Sequence, residues 1–311
     1  MESDRGIAVH TGPPLTRPDP RSTAAPLQVM AAAALFSTGG AAIKACSLSG
    51  PQVACLRSGI AALTLVLCLP AARRGWTARG TAIGAAYAVT MVLFVWANKL
   101  TTSASTIFLQ ATSPLFILLM APWLLREPVL RRDVIFTAAL AGAMVLVFAG
   151  GRVPQQSAPD PMLGNLMGLA SGATYALAVM GLRWTARRES EGLPGASAAT
   201  VVLAGNALAF AACLPSAWPL PRLTVTDAAV LLYLGVFQIA LAYVLLIRGV
   251  RGVTALEASL LLLVEPVLNP LWAWAVQGEV PGAWTLAGGA IIIGATTVRT
   301  WHDTRRGPAR Q

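Results

Sequence analysis

Charged residues are scarce in this chain. Asp, Glu, Lys and Arg together make up 12% of its 311 residues, about half the share of an ordinary soluble domain. The two histidines, His10 and His302, lie near the ends, which excludes a histidine-based metal cluster or Ser-His-Asp arrangement from the long apolar part. The two lysines, Lys44 and Lys99, stand outside any GxxxxGK[ST] frame, so the sequence has no phosphate-binding loop of an ATPase.

Cysteine is also rare, and its four residues form no CxxC pair. All four, Cys46, Cys55, Cys68 and Cys213, fall in or beside apolar stretches. They are interpreted as small packing residues, and neither a disulfide framework nor a metal site is predicted. No cofactor is predicted either. Together these absences argue against an enzyme, although a membrane enzyme that uses carboxylates alone stays compatible with them.

What the chain has in abundance is apolar sequence, at 56% of all residues. It is organised in ten stretches, each about as long as a bilayer-spanning helix needs to be. Spans one to ten are Leu27–Cys46, Val53–Leu69, Thr81–Leu100, Ser103–Leu125, Val134–Gly150, Met162–Trp184, Ala196–Ala217, Ala228–Arg248, Thr254–Gln277 and Ala283–Val298. Barrel strands are shorter and alternate in polarity, so the sequence predicts an all-α membrane protein of ten transmembrane helices that contacts the lipid bilayer.

The basic residues predict the orientation of the spans. Of the 23 lysines and arginines, Lys44, Lys99, Arg152 and Arg222 fall in alternate connectors, Arg57 lies inside span two, and the other eighteen fall in the remaining connectors and tails. By the positive-inside rule both termini are predicted to be cytoplasmic. This distribution also argues against nucleic-acid binding as the reason for the net charge of +10. Arg57 and Lys44 are expected to extend towards the outer surface, with anion binding by Arg57 as the minority interpretation.

The second half of the chain repeats the first at an offset of 152 residues. Thr102 corresponds to Thr254, Pro114 to Pro266, and Glu127 to Glu279. Because the repeated unit has five helices, the second copy enters the membrane with the opposite orientation, which is typical of secondary transporters. The predicted divisions are a disordered cytoplasmic tail over 1–26, a first five-helix repeat over 27–150, a linker over 151–161, an inverted second repeat over 162–299 around a shared central cavity, and a cytoplasmic tail over 300–311.

Two segments resemble the fourth and ninth helices of EamA-type transporters in the bacterial drug/metabolite transporter superfamily. They are TTSASTIFLQATSPLFILLMAPWLLREP and ASLLLLVEPVLNPLWAWAVQGE, and GVFQIALAY just upstream of the second also fits. The resemblance covers residues 27–299 and is greatest to aromatic amino-acid exporters. It implies a ten-helix bundle in the bacterial inner membrane that exports amino acids or similar small metabolites.

Glu265 is the most informative single residue, because it is an acidic side chain in the middle of span nine. A charge at that depth is costly, so such residues usually face a cavity or a partner. A proton-coupling or substrate-binding carboxylate and a neutral packing residue beside Pro266 are both compatible with the pattern. Asn269 and Trp272 follow at helical spacing and are expected to share its face.

Other polar residues within the spans complete the predicted substrate cavity. They are expected either to contact substrate or to hydrogen-bond between helices. They are Thr106, Gln110 and Ser113 in span four, Tyr175 in span six, Asn206 in span seven and Gln238 in span eight. In span six, Gly164, Gly168 and Gly172 form a doubled GxxxG pattern that predicts close helix packing.

The sequence thus predicts a secondary transporter for a small-molecule substrate, working by alternating access between its two repeats. A carrier or flippase for lipid-linked or sugar-conjugate substrates is the alternative, and a membrane-embedded enzyme is a more distant one. Substrate identity, transport direction, coupling ion and oligomeric state are left open by the sequence.

Overall fold

The computed structural model describes residues 24–124, 131–150, 156–190, 193, 195–253 and 255–305. Helices dominate these ranges. The α-helices are α1 (Ala24–Ser37), α2 (Gly39–Ala45), α3 (Gly50–Cys68), α4 (Ala78–Leu100), α5 (Ser103–Gln110), α6 (Ser113–Leu124), α7 (Arg131–Gly150), α8 (Pro161–Ser190), α9 (Ala198–Ala217), α10 (Val225–Leu232), α11 (Ala242–Gly249), α12 (Ala255–Leu262), α13 (Val264–Gln277) and α14 (Ala283–Arg305). A short 3₁₀ helix covers Pro70–Arg73, and a π-helical stretch, Tyr233–Leu241, joins α10 to α11.

The predicted all-α membrane fold is confirmed. Eight helical units within the described ranges are long and apolar enough to cross a bilayer, and they correspond to spans one to four and six to nine. Span five is represented by the shorter apolar helix Val134–Gly150. Helix α14 occupies the position of span ten.

The ends of the described helices differ slightly from the predicted boundaries. Helix α1 begins at Ala24, three residues before the predicted start, and α14 continues to Arg305, into the predicted tail. The predicted disorder of residues 1–26 falls largely outside the described residues, and Glu127 also lies outside them.

Local capping explains where several helices begin and end. Ser49 and Gln52 form a capping box at the start of α3, and Thr224 and Asp227 form another at the start of α10. Such pairs satisfy amide groups that have no partner in the first helical turn. Helix α13 ends at Gln277, and the next residue, Gly278, takes a φ of 66°. This left-handed conformation suits glycine and stops the helix.

Spans four and nine are each broken in the middle, which the continuous spans predicted from sequence did not include. Helix α5 ends at Gln110 and α12 ends at Leu262, each four residues before a proline. Proline lacks the N–H that would bond to the carbonyl four residues earlier, so the helix is interrupted there. The two breaks fall at equivalent positions of the offset-152 repeat, next to Pro114 and Pro266.

Most of the larger contacts between the two halves keep their partners when spans one to five are exchanged with spans six to ten. The contact between spans three and six corresponds to the contact between spans eight and one. The contact between spans four and six corresponds to the contact between spans nine and one. Span two contacts span eight, while span seven contacts span three. Spans two and seven, four and nine, and five and ten pack against each other. This two-fold pattern is the one expected of a chain built from two repeated halves.

The glycines of span six allow the close approach predicted for them. A Cβ on Gly164 would lie 2.7 Å from the Thr101 backbone nitrogen, and one on Gly172 would lie 2.8 Å from the Leu109 carbonyl oxygen. Gly168 faces Leu109 as well. Helix α8 therefore packs directly on the chain between spans three and four and on the α5 backbone.

Candidate functional site

Glu265 lies in the first turn of α13, directly after the break in span nine. Its side chain is half-buried, and among the described residues it makes no hydrogen bond and no ion pair. Its carboxyl lies within electrostatic range of the hydroxyls of Tyr87, Tyr175 and Tyr243. These tyrosines come from spans three, six and eight, so Glu265 faces a point where both halves of the chain meet.

The tyrosines form a small aromatic group around that point. The Tyr87 and Tyr243 rings meet edge to face with their centroids 5.6 Å apart, and Phe36 meets Tyr243 in the same way at 5.0 Å. Tyr87 is 1% exposed, whereas Tyr175 and Tyr243 are half-buried. We call Arg57, Tyr87, Tyr175, Tyr243 and Glu265 the central cluster.

Arg57 does not extend to the outer surface, so that sequence interpretation is wrong. Its side chain is 1% exposed, and its Nη2 lies 3.3 Å from the Met91 sulfur. Its charge acts on Tyr87 and Tyr243, which places it beside the same tyrosines that surround Glu265. Packing of α3 against α4 and α9 encloses the guanidinium before it can reach the end of its helix.

Span four contributes one predicted residue that bonds across the bundle. The half-buried Gln110 donates from Nε2 to the Ser171 hydroxyl at 2.8 Å, and Ser171 donates to the Thr90 carbonyl at 3.3 Å. Thr106 is fully buried and donates to the Thr102 carbonyl within its own helix. Ser113 is 8% exposed and starts α6 after the break, so the predicted continuous stripe from Thr106 to Ser113 is interrupted.

Span nine carries the other two predicted residues, on the same helix as Glu265. Asn269 is fully buried, and neither its amide oxygen nor its amide nitrogen has a partner. Its nitrogen lies beside Gly40 of span one, next to the equally unpartnered hydroxyl of Ser103. Trp272 is 40% exposed and donates from Nε1 to the Ser37 hydroxyl at 3.0 Å.

The remaining predicted residues lie in spans seven and eight and are almost fully buried. Asn206 donates to the Val202 carbonyl at 2.9 Å, which leaves its Oδ1 without a partner. Gln238 lies in the π-helical stretch, a geometry often found at functional sites, and donates to the Phe36 carbonyl at 3.4 Å. Its Oε1 also has no partner.

These hydrogen bonds join two groups of three spans. Gln110, Ser171 and Thr90 connect spans four, six and three. Trp272 donates to the Ser37 hydroxyl and Gln238 donates to the Phe36 carbonyl, so these two bonds connect spans nine and eight to span one. When spans one to five are exchanged with spans six to ten, the group of spans three, four and six becomes the group of spans eight, nine and one. Each group is therefore bonded internally, and the central cluster lies between them.

A second polar site closes the predicted outer end. Lys44 Nζ lies 3.3 Å from Glu279 Oε2, and both side chains are almost fully buried. The Lys44 ammonium also donates to the carbonyls of Thr101, at 2.8 Å, and Ser157. Glu279 accepts the Ser103 backbone N–H at 2.6 Å. We call Lys44 and Glu279 the outer latch, because this ion pair joins span one and the start of α5 to the end of span nine.

The outer latch borders a polar cavity of about 740 Å³. Lys99, Asn98, Gln156 and Gln277 line the cavity as well. Gln277 donates to the Ala41 carbonyl at 2.8 Å, a further bond between spans nine and one. Lys44 was expected to extend freely towards the outer surface, and it instead holds this contact.

The outer latch is predicted to open on acidification. Burial raises the pKa of the Glu279 carboxyl, although Lys44 and the Ser103 amide favour its charged form. A raised pKa means that Glu279 takes up a proton at a milder acidity than an ordinary carboxyl, and protonation removes the ion pair. Ser157 adjoins the outer latch, because Lys44 donates to its carbonyl. In a protein that lacks the four native cysteines, the variant Ser157→Cys should therefore react several-fold faster with an impermeant thiol reagent as the outer pH falls.

Arg222→Cys is the reference for that measurement, because Arg222 is exposed in the same predicted outer region. Dividing the labelling rate of Ser157→Cys by that of Arg222→Cys removes the pH dependence of the thiol itself and gives a corrected rate. Glu279→Gln should make the corrected rate high at every pH. An unchanged pH dependence in Glu279→Gln would show that another group controls access.

Sequence reasoning did not single out Tyr87, Tyr243 or the outer latch. A signal for the tyrosines was present, since tyrosine in membrane proteins is enriched at the interfaces and these two stand well inside spans three and eight. For the latch, the repeated glutamates at 127 and 279 gave a hint, but the contact with Lys44 depends on the fold.

Comparisons with known proteins agree with this architecture. Residues 162–300 match the model of the EamA-like transporter family. A solved structure described only as a crystal structure of a protein aligns with a TM-score of 0.58 and 22% identity, over 91% of this chain and 98% of that chain. This likeness supports the fold alone. No curated protein matches the chain closely.

Proposed function

We propose that this chain, whose residues 162–300 match the model of the EamA-like transporter family, belongs to that family and exports amino acids or similar small metabolites across the bacterial inner membrane. The family is one of membrane transporters of small molecules. We further propose that the halves are inverted repeats, that both termini are cytoplasmic, and that substrate binds between the halves by alternating access.

The observation that carries this proposal is the setting of Glu265. It is a half-buried acidic residue without a bonded partner, at a helix break, among tyrosines from three other spans. Substrate and ion sites of secondary transporters are commonly built at such discontinuous helices near the repeat interface. The matching break in span four, next to Gln110 and Ser113, lies in the other half of the chain.

The exchange symmetry of the helix contacts supports the alternating-access part of the proposal. Each hydrogen-bonded group of three spans moves as a unit in this proposal, and the outer latch, a polar contact between the halves, separates during transport. In this conformation the latch closes the predicted outer end. Transport then requires a second conformation in which Lys44 and Glu279 are apart.

A carrier for lipid-linked substrates is a second candidate, favoured by a side groove between spans three and six. The groove has a volume of about 690 Å³ and is lined mainly by apolar side chains, including Ile83, Leu177 and Met180. Arg79 and Arg188 lie against the Trp184 ring at its end, 5.6 and 5.1 Å from the ring centre. An acyl chain and an acidic head group would fit that combination.

Purified protein in liposomes distinguishes the candidates. Liposomes preloaded with an unlabelled amino acid should take up the labelled form by exchange, and a pH gradient should drive accumulation. Empty liposomes provide the control. Movement of a labelled lipid between leaflets, with no exchange of any amino acid in the panel, would reject the small-metabolite proposal in favour of the lipid carrier.

A further inference from the structure

Arg57 is a charged side chain inside span two that no acidic residue of the described chain neutralises. It is 1% exposed, and its Nε and Nη1 atoms have no hydrogen-bond partner. Its third nitrogen contacts only the Met91 sulfur, which is a weak acceptor. The ion pair among the described residues joins Lys44 to Glu279 and does not involve Arg57. Because guanidinium stays protonated in proteins, the charge needs an anion from elsewhere.

The helices packed on α3 bring polar side chains towards this region, and no carboxylate of the described residues forms an ion pair with Arg57. Tyr87, from span three, turns its hydroxyl towards Asn206 and Tyr243 but completes a hydrogen bond with neither. Asn206, from span seven, keeps an unpartnered Oδ1. Tyr243, from span eight, is half-buried. Unpartnered buried polar atoms are rare in proteins and call for an explanation, and here two nitrogens of the Arg57 guanidinium, the Tyr87 hydroxyl and the Asn206 Oδ1 all lack partners.

We propose that Arg57 binds the carboxylate of the transported molecule, with the Tyr87 hydroxyl as an additional hydrogen-bond donor. This inference rests on the proposed transport function and adds a chemical requirement to it. A bound carboxylate gives the Arg57 N–H groups the acceptors that they lack. Met91 is half-buried and has an unbranched, flexible side chain, so it can move aside as the anion enters.

The charge balance of the central cluster favours a singly charged anion. Arg57 supplies one buried positive charge that no described carboxylate pairs with, and a single negative charge is enough to balance it. A phosphate dianion would exceed the one positive charge that Arg57 supplies. The rings of Phe36 and Tyr243, in contact at 5.0 Å, offer an apolar surface for the rest of the molecule.

The test compares molecules that differ only in the carboxylate. Phenylalanine and tyrosine are measured against phenethylamine and tyramine as competitors of labelled amino-acid exchange in liposomes. A site built to bond a group rejects an analogue that lacks it by a large factor, so the acids should compete at least about tenfold better. Arg57→Gln should remove this preference, Arg57→Lys should retain part of it, and Tyr87→Phe should reduce it by about threefold. Phenylphosphonate, as the dianion, should compete poorly.

A stability measurement separates failure of this inference from failure of the transport proposal. If Arg57 awaits an anion, ligand-free Arg57→Gln should melt at or above the wild-type temperature, because a buried unpaired charge has been removed. Phenylalanine should raise the melting temperature of the wild type and leave that of Arg57→Gln unchanged.

Two results would overturn the carboxylate site. One is exchange of acids and amines with equal preference, which would leave the transport function standing. The other is a lower melting temperature in Arg57→Gln together with no effect of phenylalanine on the wild type, as a purely structural arginine would give. If no substrate exchanges but phenylalanine stabilises the wild type alone, the transport proposal fails and the site stands.

Discussion

Glu265→Gln is expected to abolish accumulation of substrate driven by a pH gradient while exchange of substrate for substrate continues. A half-buried carboxyl without a bonded partner can take up and release a proton, and glutamine cannot. With one proton moved per cycle, each unit of pH difference supports about tenfold accumulation. The variant should therefore lose about tenfold accumulation per pH unit and keep its exchange rate within about a factor of two.

The measurement is uptake of labelled substrate into liposomes with and without the gradient. Glu257→Gln is the matched control, because Glu257 belongs to the same span but is exposed near its end, and it should behave as the wild type does. Glu265→Leu should also lose coupling. If Glu265→Gln keeps its full gradient-driven accumulation, Glu265 is a packing residue and the coupling role is wrong.

Gly164→Val is expected to destabilise the fold strongly. The first side-chain atom at this position would lie 2.7 Å from both the backbone nitrogen and the Cβ of Thr101, and 2.9 Å from the Leu100 carbonyl carbon. Backbone atoms cannot turn aside as a flexible side chain can. Overpacking at such a site costs about 1–3 kcal/mol, and we expect the upper end of that range, visible as a lower melting temperature in detergent.

Gly142→Val provides the comparison for that variant. Gly142 is also a helical glycine, in α7, but a side chain there would meet nothing within 4 Å. Its melting temperature should stay close to that of the wild type. If both variants lose the same number of degrees in melting temperature, valine acts through helix propensity. The close approach of α8 to the end of span three would then not explain the effect.

The sequence predicted the fold because one physical requirement dominates it. Backbone groups inside a bilayer must be bonded within a helix, so long apolar runs are enough to locate the helices, and the described helices lie at the predicted spans. Breaks such as those after Gln110 and Leu262 were predictable from Pro114 and Pro266. They were missed because apolar composition continues across them.

The candidate site was predicted less completely, since it depends on which helix faces meet. Glu265 could be identified because a charge in a span is costly wherever it points. Tyr87 and Tyr243 have mainly apolar side chains, so the sequence alone does not distinguish them from packing residues. Only the packing of the helices brings them beside Arg57 and Glu265. The partner of Lys44 follows from the same three-dimensional arrangement.

Alternating access is the central claim, and it is tested most directly by labelling one position of the central cluster from both sides of the membrane. Tyr175→Cys, in the central cluster, is the position to label, without the four native cysteines. Arg222→Cys and Arg251→Cys, both exposed, should label only from outside and only from inside respectively. Tyr175→Cys should label from inside while the outer latch is closed and from outside once Glu279→Gln opens it, with substrate slowing both reactions. Labelling of Tyr175→Cys from one side alone, in both latch states, would contradict alternating access.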